Sequence, residues 1–301
     1  MTTPGTKGAP RGLEILATGS LVTVQDLGRL GLGALGVGTS GAVDRASLRL
    51  ANRLLGNPDD AAALEVTFGG LEVRAHGGMF VVLTGAACAM TIDAAPVGHA
   101  AVTWLPDGAT LRLAPATSGL RAYLGVRGGI DVSPVLGSRS TDTLSGLGPA
   151  VPRVGDRLPV GPPPDSPPLV EVAPVGLPTS GEVSLRVVPG PREDWFVPSA
   201  LEDLLGATYE VTTESDRVGM RLSGPVLERA RDGELSSEGM VTGALQVPPT
   251  GQPTLLLTDH PVTGGYPVIA VVVAGDIGLA AQAQPGQRLR FVLADGGPHG
   301  S

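Results

Sequence analysis

Glycine and proline interrupt this chain so often that long helices cannot be its main building material. Of its 301 residues, 45 are glycine and 28 are proline. Proline lacks a backbone donor and glycine loses the most conformational freedom on folding, so both residues end helices and mark turns. Hydrophobic residues still make up 42% of the chain and recur in short runs. The composition therefore predicts a mainly β fold of short strands joined by many turns.

Short apolar segments bracketed by glycine, proline or aspartate predict the individual strands. Such brackets favour antiparallel sheets or barrels over alternating βαβ units. The candidate strands are residues 13–17, 71–74, 79–83, 101–104, 110–114, 120–126, 183–188, 209–212, 254–257 and 268–273.

Helical periodicity is confined to three short segments: residues 45–55, 199–205 and, more weakly, 276–283. In the first segment, Leu48, Ala51 and Leu55 share one apolar face. Asp44 precedes this segment as a candidate cap, and Gly56 follows it as a stop.

A proline-rich stretch divides the chain into two halves. Residues 162–181 contain seven prolines and show neither a helical nor an alternating pattern, which is typical of an extended linker. We therefore expect one β domain over residues 12–161 and a second over residues 182–293, with residues 162–181 between them.

The charged residues exclude several functions. Lys7 is the single lysine among 21 basic residues, so the body of the chain offers no Schiff-base lysine, no P-loop lysine and no lysine that could carry biotin. The net charge of −8 and the 3% aromatic content argue against nucleic-acid binding. Any anion held by a side chain must be bound by arginine, histidine or a hydroxyl group.

Cysteine and histidine show no metal-binding pattern. Cys88 is the single cysteine and lies among apolar residues, which predicts a small buried side chain. The four histidines lack the spacing of a zinc site. The N-terminus has no apolar stretch typical of a signal peptide, and the longest apolar run, residues 268–274, is too short to cross a bilayer. We expect a soluble, cytoplasmic protein without a metal.

Two polar clusters in the first half are candidate binding residues. Asp26 and Arg29 lie shortly before the predicted helix start, where backbone donors favour anions. Ser138, Arg139 and Ser140 follow a glycine, and their hydroxyl and guanidinium donors suit a carboxylate or phosphate. The alternatives are ordinary loop chemistry for the first cluster and a solvent-facing turn for the second.

Two further clusters lie in the second half. Asp216 and Arg217 belong to a segment of alternating charges that could equally be a surface ion-pair strand. The other cluster consists of Asp259, Thr263, Gly264, Gly265, Tyr266 and Gln246. These residue types suit a small amide, because the glycine backbone and a hydroxyl donate to its carbonyl while a carboxylate or a side-chain amide accepts from its N–H. A hairpin loop is the alternative. Residue types alone indicate a β-rich, two-domain protein that binds a small polar molecule.

Ten short sequence motifs occur in the same order as in one known family. The matching strings are residues 25–29, 44, 51–52, 56–57, 64–65, 137–141, 215–217, 219–222, 243–248 and 263–267. Together they resemble the family of 5-oxoprolinase C subunits, also called the allophanate hydrolase subunit 2 or KipA-type biotin-dependent carboxyltransferase family. The resemblance extends over about residues 12–293.

The resemblance implies a fold, partners and a reaction. It implies two cyclophilin-like β-barrel domains with a few short helices. It also implies a complex with two partner proteins of the 5-oxoprolinase system: the B-type partner (allophanate hydrolase subunit 1, or KipI-type) and the A-type partner. This complex would be a hydrolase that opens 5-oxoproline to glutamate, with ATP used by the complex and no biotin bound to this chain.

In this function, Asp259, Asp216 and Arg217 are the catalytic candidates, and Arg217 is the expected partner of a substrate carboxylate. The substrate-binding candidates are Thr263, Gly264, Gly265, Tyr266, Gln246, Arg139, Ser138, Ser140, Asp26 and Arg29. Two other functions stay open: the carboxyltransferase component of a biotin-dependent urea or amide carboxylase, and a non-enzymatic KipA-type regulator that binds a kinase-inhibitor partner.

Overall fold

The computed structural model describes residues 11–165, 167–168, 170–233 and 235–294. Lys7 and His299 lie outside these residues. The described chain is mainly β with three short α-helices, which confirms the predicted fold class. None of the helices found there is long and apolar enough to cross a membrane.

The chain forms two compact units. Unit 1 comprises Met1–Gly28, Arg45–Thr141 and Leu147–Pro178, and unit 2 comprises Arg29–Asp44, Asp142–Gly146 and Thr179–Ser301. Two short segments that the sequence places within the first half, Arg29–Asp44 and Asp142–Gly146, thus belong to unit 2.

Unit 1 contains two antiparallel sheets. Its strands are β1 (Gly12–Thr18), β2 (Leu21–Gln25), β3 (Ala63–Thr67), β4 (Leu71–His76), β5 (Met79–Gly85), β6 (Met90–Ile92), β7 (Ala95–Val97), β8 (Thr103–Leu105), β9 (Thr110–Leu113), β10 (Arg121–Val126) and β11 (Arg157–Pro159). One sheet has the order β11-β1-β4-β9-β6-β7, and the other has the order β2-β3-β10-β5-β8. Hydrogen bonding thus gives two sheets here, whereas the resemblance implies a closed barrel.

Side-chain alternation places one core between these sheets. In β4, Leu71, Val73 and Ala75 are buried while the intervening residues are more exposed. These side chains share a cluster with residues of the other sheet, such as Leu64 and Leu124. Cys88 belongs to the same core, as predicted, and burial raises the pKa of its thiol to about 11.

Helix α1 (Arg45–Leu55) covers the other face of the five-stranded sheet. It has the predicted bounds and packs against β5 and β10. A Cβ atom at Gly125 of β10 would lie 3.0 Å from Leu55 and 3.1 Å from Ala51, so this glycine lets helix and strand approach closely. Gly56 ends the helix with a φ of 69°.

Unit 2 contains a closed barrel with the strand order β12-β19-β16-β17-β14-β13-β20. The strands of unit 2 are β12 (Val183–Pro189), β13 (Thr208–Val211), β14 (Gly219–Ser223), β15 (Glu238–Gly239), β16 (Ala244–Gln246), β17 (Thr254–Leu256), β18 (Thr263–Gly264), β19 (Val268–Val272) and β20 (Arg288–Leu293). Strands β15 and β18 form a separate pair. The helices are α2 (Ala200–Gly206) and α3 (Ile277–Ala281), each within two residues of its predicted bounds.

The predicted linker is partly bound to unit 1. The Val102 N–H donates to the Glu171 carbonyl at 2.7 Å, and the Ala173 N–H donates to the Ala100 carbonyl at 3.0 Å. Proline-rich chain is extended, so it can follow the edge of a sheet without forming a regular strand itself.

Candidate functional site

A buried carboxylate organises the turn that carries Arg139. Asp26 follows directly after β2 and is 7% exposed. Its carboxylate accepts hydrogen bonds from the Ser138 and Ser140 hydroxyls, both at 2.6 Å, and from the Arg139 and Gly28 N–H groups at 2.5 and 2.7 Å. With four donors satisfied, Asp26 holds the turn in one conformation.

The Arg139 side chain is held along one edge. Its Nε donates to the Val132 carbonyl at 2.8 Å, and its Nη2 donates to Asp131 Oδ1 at 3.0 Å. The side chains of Arg139 and Asp131 are 38% and 50% exposed, so both are accessible. Because a guanidinium has five N–H donors, three of them stay available for a ligand.

Arg139 and Asp131 line an open cleft of about 590 Å³ in unit 1. Asp26, Asp60 and Asn57 also contribute to its walls. Asn57 is a structural member, because its amide oxygen accepts from the Gly128 N–H at 2.9 Å and its amide nitrogen donates to the Val126 carbonyl at 2.8 Å. The cleft has the volume of a small-molecule site, and its charged lining residues are three aspartates and one arginine.

Arg217 and Asp259 form a buried ion pair in unit 2. Nε and Nη2 of Arg217 donate to the two carboxylate oxygens of Asp259 at 2.9 and 3.0 Å. The Ser40 hydroxyl donates to the same carboxylate at 2.7 Å, and the N–H and hydroxyl of Thr143 donate to it at 2.9 and 2.8 Å. Arg217 Nη2 also donates to the Gly41 carbonyl at 2.7 Å. Both residues are only 1% exposed.

The environment of Asp259 keeps it ionised. Burial alone would raise the pKa of this carboxyl, but the charge and hydrogen bonds of Arg217 act in the opposite direction. Hydrogen bonds from Thr143 and Ser40 also lower the pKa, so the pKa of Asp259 is below its ordinary value. The carboxylate accepts five hydrogen bonds. The pair is therefore a buried structural ion pair and is not accessible to a ligand.

Asp216 and Arg29, two other candidates, also have local structural roles. The Asp216 carboxylate accepts from the N–H groups of Val218 and Gly219 at 2.7 and 3.0 Å, which fixes the turn into β14. Arg29 is 2% exposed, and its backbone N–H donates to the Thr39 carbonyl at 2.7 Å.

The remaining candidates lie around β18. Gly264 pairs with Glu238 of β15, and a Cβ atom at Gly264 would lie 2.5 Å from Nε2 of Gln246. A Cβ atom at Gly265 would lie 3.2 Å from the Leu235 carbonyl oxygen. Thr263 is exposed and Tyr266 is 38% exposed. These glycines therefore accommodate neighbouring protein atoms at the strand pair.

The structure thus brings together some candidates and separates others. Asp26, Ser138, Arg139 and Ser140 meet in unit 1, although Asp26 is more than 100 positions from the other three in sequence. Arg217 and Asp259 meet in unit 2, whereas the Asp216 carboxylate bonds to the N–H groups of Val218 and Gly219. Sequence reasoning missed Asp131 and Asp60; the one available signal was the Gly128–Gly129 pair that follows β10 and precedes Asp131.

A comparison with known families gives the chain its classification. The carboxyltransferase domain, subdomain A and B, matches residues 35–293. The chain belongs to this carboxyltransferase domain family. Within the described residues, no group of three histidine, cysteine, aspartate or glutamate side chains is arranged to hold a metal ion.

Relatives within this family have two kinds of name. The chain is 39% identical to an Escherichia coli protein named as the C subunit of 5-oxoprolinase, over 284 residues, which is 93% of this chain and 90% of that protein. It is 34% identical to the protein of the same name in Haemophilus influenzae, with the same coverage of both chains. It is also 34% identical to "Urea amidolyase" of Saccharomyces cerevisiae, of which it covers only 17%.

Solved structures in the family share the fold. The Kluyveromyces lactis urea amidolyase matches with a TM-score of 0.89 and 31% identity, over 96% of this chain and 19% of that chain. The Kluyveromyces lactis urea carboxylase matches with the same score and identity, and 28% of that chain is covered. The chain therefore spans less than a third of either structure.

Proposed function

We propose that this chain is the C subunit of a 5-oxoprolinase, a hydrolase complex that opens 5-oxoproline to glutamate at the expense of ATP. The observation that carries the proposal is the end-to-end similarity to the Escherichia coli protein with that name. A match over 90% of that protein leaves little of its length without a counterpart here, whereas the urea amidolyases contain several times more chain.

The chemistry of the reaction explains why partners are needed. A lactam carbonyl is a poor electrophile, so ATP first transfers its terminal phosphoryl group to the carbonyl oxygen and leaves as ADP, and water then adds to the carbonyl carbon. The ring C–N bond breaks, the ring nitrogen takes up a proton to become the amine of glutamate, and phosphate leaves as the former carbonyl carbon becomes a carboxylate. The sequence holds a single lysine and no P-loop, so we assign ATP binding to the complex with the A-type and B-type partner proteins rather than to a site of this chain.

The cleft of unit 1 is the substrate site that we assign to this chain. It combines an accessible guanidinium, Arg139, with carboxylates at Asp131 and Asp60. The buried pair of Arg217 and Asp259 supports the fold of unit 2 and takes no direct part in the proposed chemistry. The same holds for Asp216, whose carboxylate stabilises a turn.

A second function is favoured by the structural comparison. The urea amidolyase and urea carboxylase of Kluyveromyces lactis match at a TM-score of 0.89, so this chain could serve as the carboxyltransferase part of a biotin-dependent urea or amide carboxylase. In that function, biotin would arrive on a separate carrier protein.

Substrate-dependent ATP hydrolysis separates the two functions. The purified chain is mixed with A-type and B-type partner proteins of 5-oxoprolinase, and ADP is measured with 5-oxoproline or with urea. We expect ADP and glutamate to form together from 5-oxoproline. If ADP forms only with urea, and only after addition of a biotin carboxylase with its biotinyl carrier, the carboxylase function replaces the one proposed here.

A further inference from the structure

We propose that Arg139 and Asp131 together recognise the cis edge of an amide, the edge that a small lactam or a urea presents. The inference rests on the proposed function for its setting and adds the chemical class of ligand and the two residues that bind it. It replaces the expectation that Arg217 selects the substrate, since Arg217 is 1% exposed in unit 2.

Arg139 offers donors that nothing else in the described chain uses. Nε and Nη2 are bound to Val132 and Asp131, and no acceptor among the described residues bonds to Nη1. The guanidinium is thus fixed on one edge and free on the other. A donor held in advance in this way loses little rotamer freedom when a ligand binds.

Asp131 provides the matching acceptor. Its Oδ1 accepts from Arg139, while its Oδ2 has no hydrogen-bond donor among the described residues. The carboxylate is 50% exposed and lines the cleft. The 3.0 Å hydrogen bond between Nη2 and Oδ1 holds the two side chains in contact, so the unused donors of Arg139 and Oδ2 of Asp131 belong to one joined pair.

This arrangement complements a cis amide and does not complement a trans one. In a small lactam ring, the C=O and N–H groups lie on the same side of the C–N bond, and urea presents the same pattern. An ordinary trans peptide directs these groups to opposite sides. The ligand oxygen can accept from Arg139 while its N–H donates to Asp131, giving two charge-assisted hydrogen bonds at once.

The turn that carries Arg139 is built to hold this geometry. The Asp26 carboxylate accepts from the Arg139 N–H and from the hydroxyls of Ser138 and Ser140, so the backbone of the turn is fixed from inside the protein. Asp26 is therefore a positioning residue. Binding by Arg139 depends on this support, since a shift of the turn would separate the guanidinium from Asp131.

The charge of the cleft determines which part of the ligand enters. Asp26, Asp60 and Asp131 outnumber Arg139, so the lining repels an anion. We infer that the amide edge of 5-oxoproline faces the cleft while its carboxylate faces solvent. A lactam without a carboxylate should then bind this chain at least as well as 5-oxoproline.

Binding of simple ligands to the full-length chain tests the proposal. NMR titration or calorimetry is carried out with 2-pyrrolidinone, its N-methyl derivative, urea and 5-oxoproline. The variants are Arg139→Gln and Asp131→Ala. The control variants, Arg112→Gln and Glu72→Ala, break an exposed ion pair of similar length, 2.9 Å, elsewhere in unit 1. A melting curve for each variant verifies folding.

We expect 2-pyrrolidinone and urea to bind, and loss of the N–H in the N-methyl derivative to weaken binding at least tenfold. Arg139→Gln and Asp131→Ala should each weaken 2-pyrrolidinone binding by about tenfold or more, with the controls unchanged. The inference would be overturned if the N-methyl derivative binds as tightly as 2-pyrrolidinone. It would also be overturned if wild type and both cleft variants bind 2-pyrrolidinone equally, or if none of the three proteins binds it. Because no turnover is measured, this result is independent of whether the complex hydrolyses 5-oxoproline.

Discussion

Arg217 and Asp259 illustrate how a charged pair is accommodated in the interior of a protein. The pair is 1% exposed at each residue, and every carboxylate oxygen of Asp259 accepts at least two hydrogen bonds. Removal of one partner from such a pair leaves the other as an uncompensated buried charge. Replacing only one of the two residues should therefore have the largest effect on the free energy of unfolding.

Replacement of Arg217 should destabilise the protein. We expect Arg217→Ala to lower the free energy of unfolding by about 3–5 kcal/mol, because Asp259 would be buried without its counterion. Denaturant unfolding of wild type and variant measures this difference. Arg221→Ala is the matched control, since the Arg221 side chain is 57% exposed in a 3.7 Å pair with Glu214. An Arg217→Ala variant as stable as this control would show that Asp259 does not need Arg217 as its counterion.

The stability of the protein should depend on pH through Asp259. The pKa of this carboxyl is below its ordinary value in the folded state, so the unfolded chain binds the proton more readily. The stabilisation is complete above the ordinary carboxyl pKa of about 4 and is lost as the pH falls through the lower folded value. In unfolding measured from neutral to acidic pH, the gap in stability between wild type and Asp259→Asn should narrow with acidification. A constant gap would refute this assignment.

At the scale of single elements, α1 and β10 depend on a close contact. Gly125 lies in β10, and its missing side chain leaves room for Ala51 and Leu55 of the helix. A Cβ atom there would also lie 3.3 Å from Val82. The apolar face of α1 thus requires a glycine at this position of β10. Close packing here depends on shape as well as on hydrophobicity.

Filling this contact should weaken unit 1. We expect Gly125→Val to reduce the free energy of unfolding by about 1–3 kcal/mol through overpacking between α1 and β10. Gly176→Ala is a suitable control, because a Cβ atom at Gly176 would meet nothing within 4 Å. Thermal melting compares the two variants with wild type. Equal melting temperatures for all three would show that the contact is looser than described.

Elements with a local signal could be predicted from the sequence. The bounds of α1 follow from its apolar spacing and from Gly56, and each of the ten predicted strands overlaps an observed one. Strand β3 was missed because Glu65 interrupts its apolar run. Glu65 is buried, accepts a 2.7 Å hydrogen bond from the hydroxyl of Tyr123 in β10, 58 positions away, and lies 3.7 Å from Nε of Arg121. No local pattern reveals such a partner.

The candidate site shows the same limit. The charge pattern around Arg217 is identical for a surface strand and for a buried pair, because burial depends on the whole barrel. The two strings that contain Asp26 and Arg139 were each recognised, but their meeting depends on how β2 and the turn at residues 137–140 are placed in unit 1. Asp131 carries no signal of its own, since it becomes notable only as the neighbour of Arg139.

At the scale of the whole molecule, the same domain occurs in relatives of very different length. The match covers 90% of the Escherichia coli protein named as a 5-oxoprolinase component and 17% of the Saccharomyces cerevisiae urea amidolyase. The same domain is thus part of a long chain in some relatives and nearly the whole chain in others. This pattern is what we expect of a domain that, as a separate chain, assembles with separate partner proteins.

Such assembly can be observed directly. We expect this chain and a B-type (KipI-type) partner protein to elute from gel filtration as one heteromeric peak when mixed at micromolar concentration. The reason is that a chain proposed to work only within a complex should bind its partner without substrate. Arg139→Gln should leave the elution unchanged, since Arg139 is assigned to ligand binding. Two separate peaks would contradict the proposed assembly.

The most direct test of the proposed function is an omission experiment. Glutamate formed from 5-oxoproline and ATP is measured with the A-type and B-type partner proteins, with and without this chain, and with this chain alone. We expect glutamate to form when all three proteins are present and to fall to background when this chain is omitted or used alone. Equal glutamate formation without this chain, or rapid turnover by this chain alone, would contradict its assignment to the 5-oxoprolinase complex.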